Sequence, residues 1–325
     1  MAIAPARAGV LGTRTPNASE LALTSDAVRG YTRGTILERI GDTPLLPLRR
    51  VAAGLRAEVW VKAEGHNPGG SVKDRAALWM VLEAERSGAL DGRRVILEAT
   101  SGNTGVALAM VAAVRGHQVE LCMPDRVSLE RRRMAAAFGA TVIGTDPLEG
   151  SDGAILEARR RRDADPERYM YLDQYSNPAN PAAHRATTGP EIWAETSGRV
   201  THLVAGVGTS GTILGAGAFL RPHAVRMVGV QPDAALHGLE GLKHMPSVMR
   251  PAIWDPGAVD RHETVSTDAS VAMSRRLARE EGLFCGPSGG AAVTVALRIA
   301  QEERGVVVAL LPDGGERYLT TPLWE

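Results

Sequence analysis

The sequence predicts an α/β protein with parallel sheets that are covered on both faces by helices. Short apolar segments typical of buried strands alternate along the chain with longer segments in which apolar residues recur at helical spacing. Strands that alternate with helices in this way form parallel sheets with helical crossovers. The 325 residues are enough for one large or two closely joined domains with a substantial core.

Composition and charge argue against several classes of protein. The 37 basic residues balance the 37 acidic ones, so no net charge attracts the chain to nucleic acid or to a membrane surface. No apolar run approaches the ~18 residues of a membrane-spanning helix. The two cysteines, Cys122 and Cys285, are far apart and form no CxxC pair, and the histidines include no HExxH. We therefore expect a cytoplasmic protein with no structural disulfide, no metal, no nucleic-acid partner and no membrane partner.

The N-terminal half begins with a segment that lacks periodicity. Residues 1–34 are rich in Ala, Arg, Thr and Ser, and we predict a loosely ordered tail there. Beyond the tail, alternation and helical spacing predict strands at residues 57–62, 95–99, 119–123 and 141–143, and helices that start at about 71, 106, 129 and 151. Each strand is followed by a helix, which is the order of elements in a doubly wound sheet.

The C-terminal half repeats this pattern. Strands are predicted at residues 201–207, 225–230 and 306–311, and helices at about 213–220, 269–281 and 291–301. Residues 231–259 lack clear periodicity and contain Pro and Gly. We predict a long functional loop there.

A lysine follows a turn-rich run in the N-terminal half. Ser71, with Asp74 three residues further on, is typical of a capping box, and this places Lys73 in the first turn of a helix. The helix dipole disfavours a cation at that position. The lysine is therefore a candidate for amine chemistry, since lysine forms a Schiff base with a carbonyl substrate or with pyridoxal phosphate (PLP). The alternative is an ordinary solvated lysine.

Three loops of small residues each join a predicted strand to a predicted helix, at residues 100–105, 208–212 and 286–290. At such junctions, unpaired backbone N–H groups meet the positive end of a helix dipole, so anions bind there. Anion sites together with an amine suit a phosphorylated cofactor and a carboxylate substrate.

One of these loops also matches a dinucleotide fingerprint. Residues 206–211 have the pattern GxGxxG, which in NAD enzymes is followed about twenty positions later by an acidic residue. Gln231 stands near that position, and Asp233 lies beyond a proline. An NAD-dependent dehydrogenase is thus a weak alternative. Absence of a PLP colour together with tight NAD binding would favour it.

Several long motifs, in order, resemble cysteine synthase, the O-acetylserine sulfhydrylase group of PLP enzymes with the tryptophan-synthase-β fold. The resemblance is closest to the B isozyme and runs from about Ile36 to the C-terminus. The segments that carry it are residues 67–75, 100–105, 173–180, 188–193, 208–212 and 313–319.

The resemblance implies two doubly wound, three-layer αβα domains with PLP in the cleft between them. We expect an N-terminal domain at residues 35–177, which carries the PLP lysine and the substrate loop. A C-terminal domain at 178–325 would carry the phosphate loop. The family also implies a homodimer.

The same resemblance implies a role for each matching residue. Lys73 would hold PLP as a Schiff base and later take the substrate α-proton. Asn103 would bind the ring hydroxyl oxygen, and Ser288 would face the pyridine nitrogen, although both also suit helix capping. The phosphate would be bound by Gly208, Thr209, Ser210, Gly211 and Thr212. The substrate carboxylate would be bound by Thr100, Ser101, Gly102, Thr104 and Gln174, which are also residue types of ordinary turns.

The implied reaction is a two-stage β-replacement that forms L-cysteine from an activated serine and a sulfur donor. We expect O-acetylserine and sulfide. The weakest likeness lies within residues 231–259, where Lys243 would either face a phosphate or thiosulfate or be an ordinary solvated lysine. O-phosphoserine, thiosulfate and cystathionine β-synthase activity therefore stay open. A non-catalytic chain that docks serine acetyltransferase is an alternative of another class, against which the intact Lys73, Asn103 and Ser288 argue.

Overall fold

Two sheets organise the computed structural model, which describes residues 23–325. In the six-stranded sheet the order is β1 (Leu45–Pro47), β2 (Glu58–Ala63), β10 (Val306–Leu311), β7 (Val200–Gly206), β8 (Arg226–Pro232) and β9 (Arg261–Val265). In the four-stranded sheet the order is β5 (Thr141–Thr145), β4 (Val119–Pro124), β3 (Val95–Ala99) and β6 (Tyr169–Tyr171). All neighbouring strands are parallel except β1 and β2. The predicted α/β class with parallel sheets is confirmed.

Helices cover both faces of each sheet. They are α1 (Ser25–Thr32), α2 (Lys73–Arg86), α3 (Asn103–Arg115), α4 (Leu129–Ala137), α5 (Gly150–Ala164), α6 (Ala179–Ala186), α7 (Thr188–Glu195), α8 (Gly211–Leu220), α9 (Thr267–Arg276) and α10 (Pro287–Glu302). Helices α2 and α3 pack on one face of the four-stranded sheet and α5 on the other. Helix α10 packs on one face of the six-stranded sheet and α8 on the other. Within the described part of the chain, no helix has the length and apolarity to cross a membrane.

Strand β10 shows most clearly how the sequence determines which residues are buried. All six of its residues are buried, in an uninterrupted apolar run that is typical of a central parallel strand. Val307 and Ala309 contact the α10 side, whereas Val308 and Leu310 contact the α8 side, because successive side chains of a strand point to opposite faces. This strand ends next to the turn that precedes Lys73, where the backbone N–H of Val72 donates to the carbonyl oxygen of Pro312 (2.8 Å).

The six-stranded sheet contains strands from both sides of the predicted domain boundary. Strands β1 and β2 precede residue 177 but belong to the six-stranded sheet, where β2 pairs with β10. The division at residues 35–177 and 178–325 stays a prediction, and it does not coincide with the division of the strands.

The predicted tail is partly helical. Residues 1–22 lie outside the described part of the chain, but Ser25–Thr32 form α1, so loose order was the wrong expectation there. The Thr24 hydroxyl caps this helix by accepting from the N–H of Ala27 (3.2 Å), and Val28 is buried in the core that α2 and α3 share.

The predicted capping box is also wrong. Helix α2 begins at Lys73, and the Ser71 hydroxyl accepts only a long hydrogen bond, from the backbone N–H of Lys73 (3.3 Å). Asp74 instead turns back and accepts from the N–H of Gly69 (2.5 Å). Lys73 nevertheless lies in the first turn of a helix, as predicted.

Candidate active site

A cavity of about 430 Å³ lies where loops that follow strands of both sheets meet. Several parallel strands end there, and the carboxyl ends of such strands are the usual ligand site of this architecture. Eight of the predicted site residues line this one cavity: Lys73, Thr100, Ser101, Asn103, Thr104, Gln174, Gly208 and Thr209.

The other five predicted residues are not in the cavity lining. Gly102 is the residue before α3, in a backbone conformation with φ of +143°. Ser210 precedes α8 with φ of +72°, and Gly211 and Thr212 begin that helix. Ser288 is buried in the first turn of α10. The roles assigned to these five by resemblance stay predictions.

Lys73 reaches the cavity without a charged partner. Among the described residues, its amine makes no ion pair and no hydrogen bond. Burial lowers the pKa of Lys73, and the negative charges of Asp313 and Glu64 oppose that shift only in part. A neutral amine is the nucleophilic form, so this environment favours attack on a carbonyl.

Side-chain hydrogen bonds hold the loop that starts at Thr100. The Thr100 hydroxyl accepts from the N–H of Gly102 (3.0 Å) and of Gly105 (3.3 Å). Thr104 donates to the side-chain oxygen of Gln174 (2.7 Å), whose amide nitrogen donates to the Ala99 carbonyl oxygen (2.8 Å). The loop is therefore held in place at the N-terminus of α3, where an anion is favoured.

Asn103 has a fixed amide orientation. Its side-chain oxygen accepts from Arg317 Nη1 (2.9 Å), and its Nδ2 donates to Asp313 Oδ2 (2.7 Å). One N–H of the amide remains for the cavity. Sequence reasoning did not select Asp313 or Arg317 as site residues; an acidic residue two positions after a buried strand was the available signal.

The loop at the N-terminus of α8 requires glycine. A Cβ at Gly208 would overlap the carbonyl oxygen of Gly241, and a Cβ at Gly211 would overlap the side chain of Asn180. The Thr209 hydroxyl accepts from Asn180 Nδ2 (3.1 Å) and from the N–H of Gly211 (3.3 Å). The result is a rigid helix N-terminus beside the cavity, suited to a phosphate.

A neutral histidine supports the same helix. Nε2 of His184 lies 3.2 Å from the Thr212 hydroxyl, and its Nδ1 lies 2.8 Å from the Thr188 hydroxyl. Burial, together with the positive charge of Arg75, lowers the pKa of His184 to about 3. The imidazole therefore acts as a neutral hydrogen-bonding group and adds no charge at this helix.

The opposite wall comes from the segment between β8 and β9. Lys243 donates to Ser151 Oγ and to Asp152 Oδ1 (both 3.1 Å), and its amine lies 5.0 Å from the centroid of the Tyr175 ring. Arg131 of α4 forms an ion pair with Glu240. Lys243 and Arg131 are thus each already paired with a carboxylate.

These residues fit a phosphorylated carbonyl cofactor. A lysine with a lowered pKa, a free amide N–H and a glycine-lined helix N-terminus border one space. Together they offer an attachment point, a polar donor and an anion site.

Comparison with known proteins gives the family. A family model described as "Pyridoxal-phosphate dependent enzyme" matches residues 36–313, and this chain belongs to that family. It is 48% identical over 303 residues to a cysteine synthase of Aquifex aeolicus (90% of this chain, 93% of the relative). It is 45% identical over 293 residues to cysteine synthase B of Salmonella typhimurium (88% and 95%).

Solved structures agree with this family. A cysteine synthase of Entamoeba histolytica superposes with a TM-score of 0.85 at 36% identity, over 90% of each chain. An O-ureido-L-serine synthase superposes with a TM-score of 0.84 at 42% identity, over 90% of this chain and 95% of that one. The predicted fold and PLP cofactor are confirmed, and the NAD alternative drawn from residues 206–211 is set aside.

Proposed function

We propose that this chain forms L-cysteine by PLP-dependent β-replacement, with O-acetylserine as the activated serine and sulfide as the sulfur donor. The observation that carries the proposal is the amine of Lys73, which has no charged partner within residues 23–325 and lies in the cavity bordered by the Thr100–Thr104 loop and Gly208. Similarity to cysteine synthases over most of the chain supports the same reaction.

Bound PLP supplies an electron sink for negative charge at the α-carbon of an amino acid. Lys73 Nζ would hold the cofactor and, once free, take the α-proton. The Asn103 N–H would bind the ring oxygen, and Gly208 to Thr212 would bind the phosphate. The Ser288 hydroxyl would face the ring nitrogen.

The substrate carboxylate would lie at the N-terminus of α3, against Thr100, Ser101, Gly102 and Thr104. Gln174 would orient it through its hydrogen bond to Thr104. When this loop encloses the substrate, it would exclude water from the reactive intermediate.

The charges of the cavity favour an acetyl leaving group over a phosphate. Of the cations that line the opposite wall, Lys243 is paired with Asp152 and Arg131 with Glu240. Arg126 lines the cavity but is exposed to solvent. A phosphate leaving group would displace a carboxylate from Lys243 or Arg131, or bind the solvent-exposed Arg126, whereas an acetyl group needs no charged partner.

The test is the visible spectrum of the purified holoenzyme. O-acetylserine should shift the cofactor band and sulfide should restore it with release of cysteine, while Lys243→Met should keep both responses within a few fold. A band that responds only to O-phosphoserine, and is lost in Lys243→Met, would instead assign Lys243 to the phosphate. Recovery of the band only with thiosulfate would make thiosulfate the sulfur donor, and turnover only of serine with homocysteine would make the chain a cystathionine β-synthase.

We also propose that the chain acts as a homodimer in the cytoplasm. The family resemblance supports the dimer, and the two buried free cysteines, Cys122 and Cys285, suit a reducing compartment. Light scattering of the eluted protein would measure the mass. The same resemblance suggests serine acetyltransferase as a protein partner, and co-elution of the two purified proteins would test it.

A further inference from the structure

We propose that Asp313 is a positioning residue of the cofactor site, which fixes the Asn103 amide and provides a carboxylate for the amine of Lys73. This inference rests on the proposed function, because it assigns a role around the same cofactor. It adds a residue that none of the predicted roles includes.

The backbone places Asp313 next to the lysine. Residue 313 follows the end of β10 and forms an isolated antiparallel bridge with Ser71, two positions before Lys73. The hydrogen bond between Val72 and Pro312 closes the same junction (2.8 Å). Backbone hydrogen bonding therefore holds the end of the central strand against the start of α2.

The two carboxylate oxygens of Asp313 are in different situations. Oδ2 accepts from Asn103 Nδ2 and from the Tyr318 hydroxyl (both 2.7 Å), and the Arg131 guanidinium lies 3.8 Å away. Oδ1 is buried and has no hydrogen-bond partner among the described residues. A buried carboxylate oxygen without a partner is costly, so the fold retains a group that a ligand or a protonated amine would satisfy.

Asp313 also determines which atoms of Asn103 face the cavity. The amide oxygen is held by Arg317 and the amide nitrogen by Asp313, so a flipped amide would oppose oxygen to oxygen and donor to donor. The remaining N–H is then directed by two fixed partners. Loss of the Asp313 acceptor would leave the amide held by Arg317 alone.

The charge of Asp313 acts on Lys73 as well. It is the larger of the two negative charges that oppose the lowering of the Lys73 pKa by burial. The titratable and charged groups around this pair are Glu64, Lys73, Arg131, His184, Cys285, Arg317 and Tyr318. Without the carboxylate, the ammonium form of Lys73 would lose its main stabilising charge.

The test compares Asp313→Asn with Glu316→Gln, which removes the same charge from a side chain that is 56% exposed. The full-length chain is stripped of cofactor, and the rate of PLP capture is followed by visible absorbance across pH. Capture needs the neutral amine, so the rate rises with pH. In Asp313→Asn the midpoint should move about one unit lower, with no movement in Glu316→Gln.

A second readout is the dissociation constant for PLP. It should rise about tenfold in Asp313→Ala, which removes the acceptor for Asn103 Nδ2, and the double variant of Asp313→Ala with Asn103→Ala should bind no more weakly than Asn103→Ala alone. A merely structural role would change the unfolding midpoint without moving the pH midpoint of capture. If Asp313→Asn does not fold, Asp313→Ala also lacks the charge and should give the same shift of the pH midpoint.

An unmoved pH midpoint in the Asp313 variants, in a protein whose wild type still makes cysteine, would overturn this inference alone. A wild-type chain that captures no PLP, or makes no cysteine, would overturn the proposed function instead.

Discussion

Two lysines in neighbouring parts of the molecule have opposite surroundings. Lys62 of β2 is buried, and its amine lies 2.6 Å from the Glu195 carboxylate and 2.9 Å from the Glu191 carboxylate. Lys73 has no ion-pair partner among the described residues, and burial lowers its pKa. Since a carboxylate partner favours the charged form, Lys62 is suited to holding elements together and Lys73 to nucleophilic chemistry.

Two buried carboxylic acids repeat this contrast. Burial alone would raise the pKa of Glu64, but the charge and hydrogen bonds of Arg75 outweigh it and lower that pKa to about 2. Burial raises the pKa of Asp74 to about 7, and the N–H of Gly69 and the charge of Arg317 only reduce the shift. Asp74 and Arg75 are consecutive in α2, so the carboxylic acid with the raised pKa lies next to the arginine that forms the buried ion pair with Glu64.

Lys73→Ala is expected to have the largest effect. The variant loses the amine that we propose holds the cofactor and moves the α-proton, so cysteine formation should fall by at least ~1000-fold. The visible band of the attached cofactor should disappear, as measured by absorbance after PLP is supplied. Lys62→Met is the matched control and should keep the band; a persistent band in Lys73→Ala would refute the assignment.

Lys62→Met should instead show its effect in stability. It leaves the Glu195 carboxylate without its cation, while Glu191 keeps its ion pair with Arg75 (2.6 Å), and breaking a buried cluster of this kind costs about 3–5 kcal/mol. Glu195 is 34% exposed at its side chain, so we expect the lower end of that range. Urea unfolding at neutral pH measures the loss. Lys73→Ala removes no ion pair and should stay within ~1 kcal/mol of the wild type; equal loss in both variants would remove the contrast between the two lysines.

Local patterns predicted the parts of the site that lie between a strand and the next helix. The loops at Thr100 and Gly208 were recognisable because small residues follow a buried strand directly. Asp313 had the weaker signal of an acidic residue just after a buried strand, and its contact with Asn103 could not be predicted because it spans 210 positions of sequence. The resemblance gave the residues of the motifs but not the carboxylates that orient them.

The elements that prediction missed have weak local signals. Strand β6 has only three residues, and β9 alternates charged and polar side chains. Helices α6 and α7 have eight residues each and follow one another directly. The prediction of a capping box was wrong because the Asp74 carboxylate accepts a hydrogen bond from the backbone N–H of Gly69 in the preceding turn.

Asp74→Asn should have the smallest effect of the three variants. Its effect is on the free energy of unfolding, and the size of that effect depends on pH. Because the native pKa of about 7 lies above the ordinary value of 3.8, the folded protein keeps a proton that the unfolded chain releases between those values. Asp74 therefore makes the fold less stable as pH rises from about 4 to about 7. Asparagine removes this titration, so the free energy of unfolding of the variant, relative to wild type, should increase across that window.

The full shift would correspond to about 4 kcal/mol, and relaxation of the residues around the ionised carboxylate should reduce the measured change to about 2 kcal/mol. Urea unfolding of both proteins at pH 4, 5.5, 7 and 8 measures it. Glu64→Gln is the control with the opposite sign, because the low native pKa of Glu64 stabilises the fold above its ordinary value of 4.5, and its loss should destabilise the protein at neutral pH. A difference between Asp74→Asn and wild type that does not vary with pH would mean that Asp74 is ionised like Glu64, and that the two regions do not differ in the way their carboxylic acids titrate.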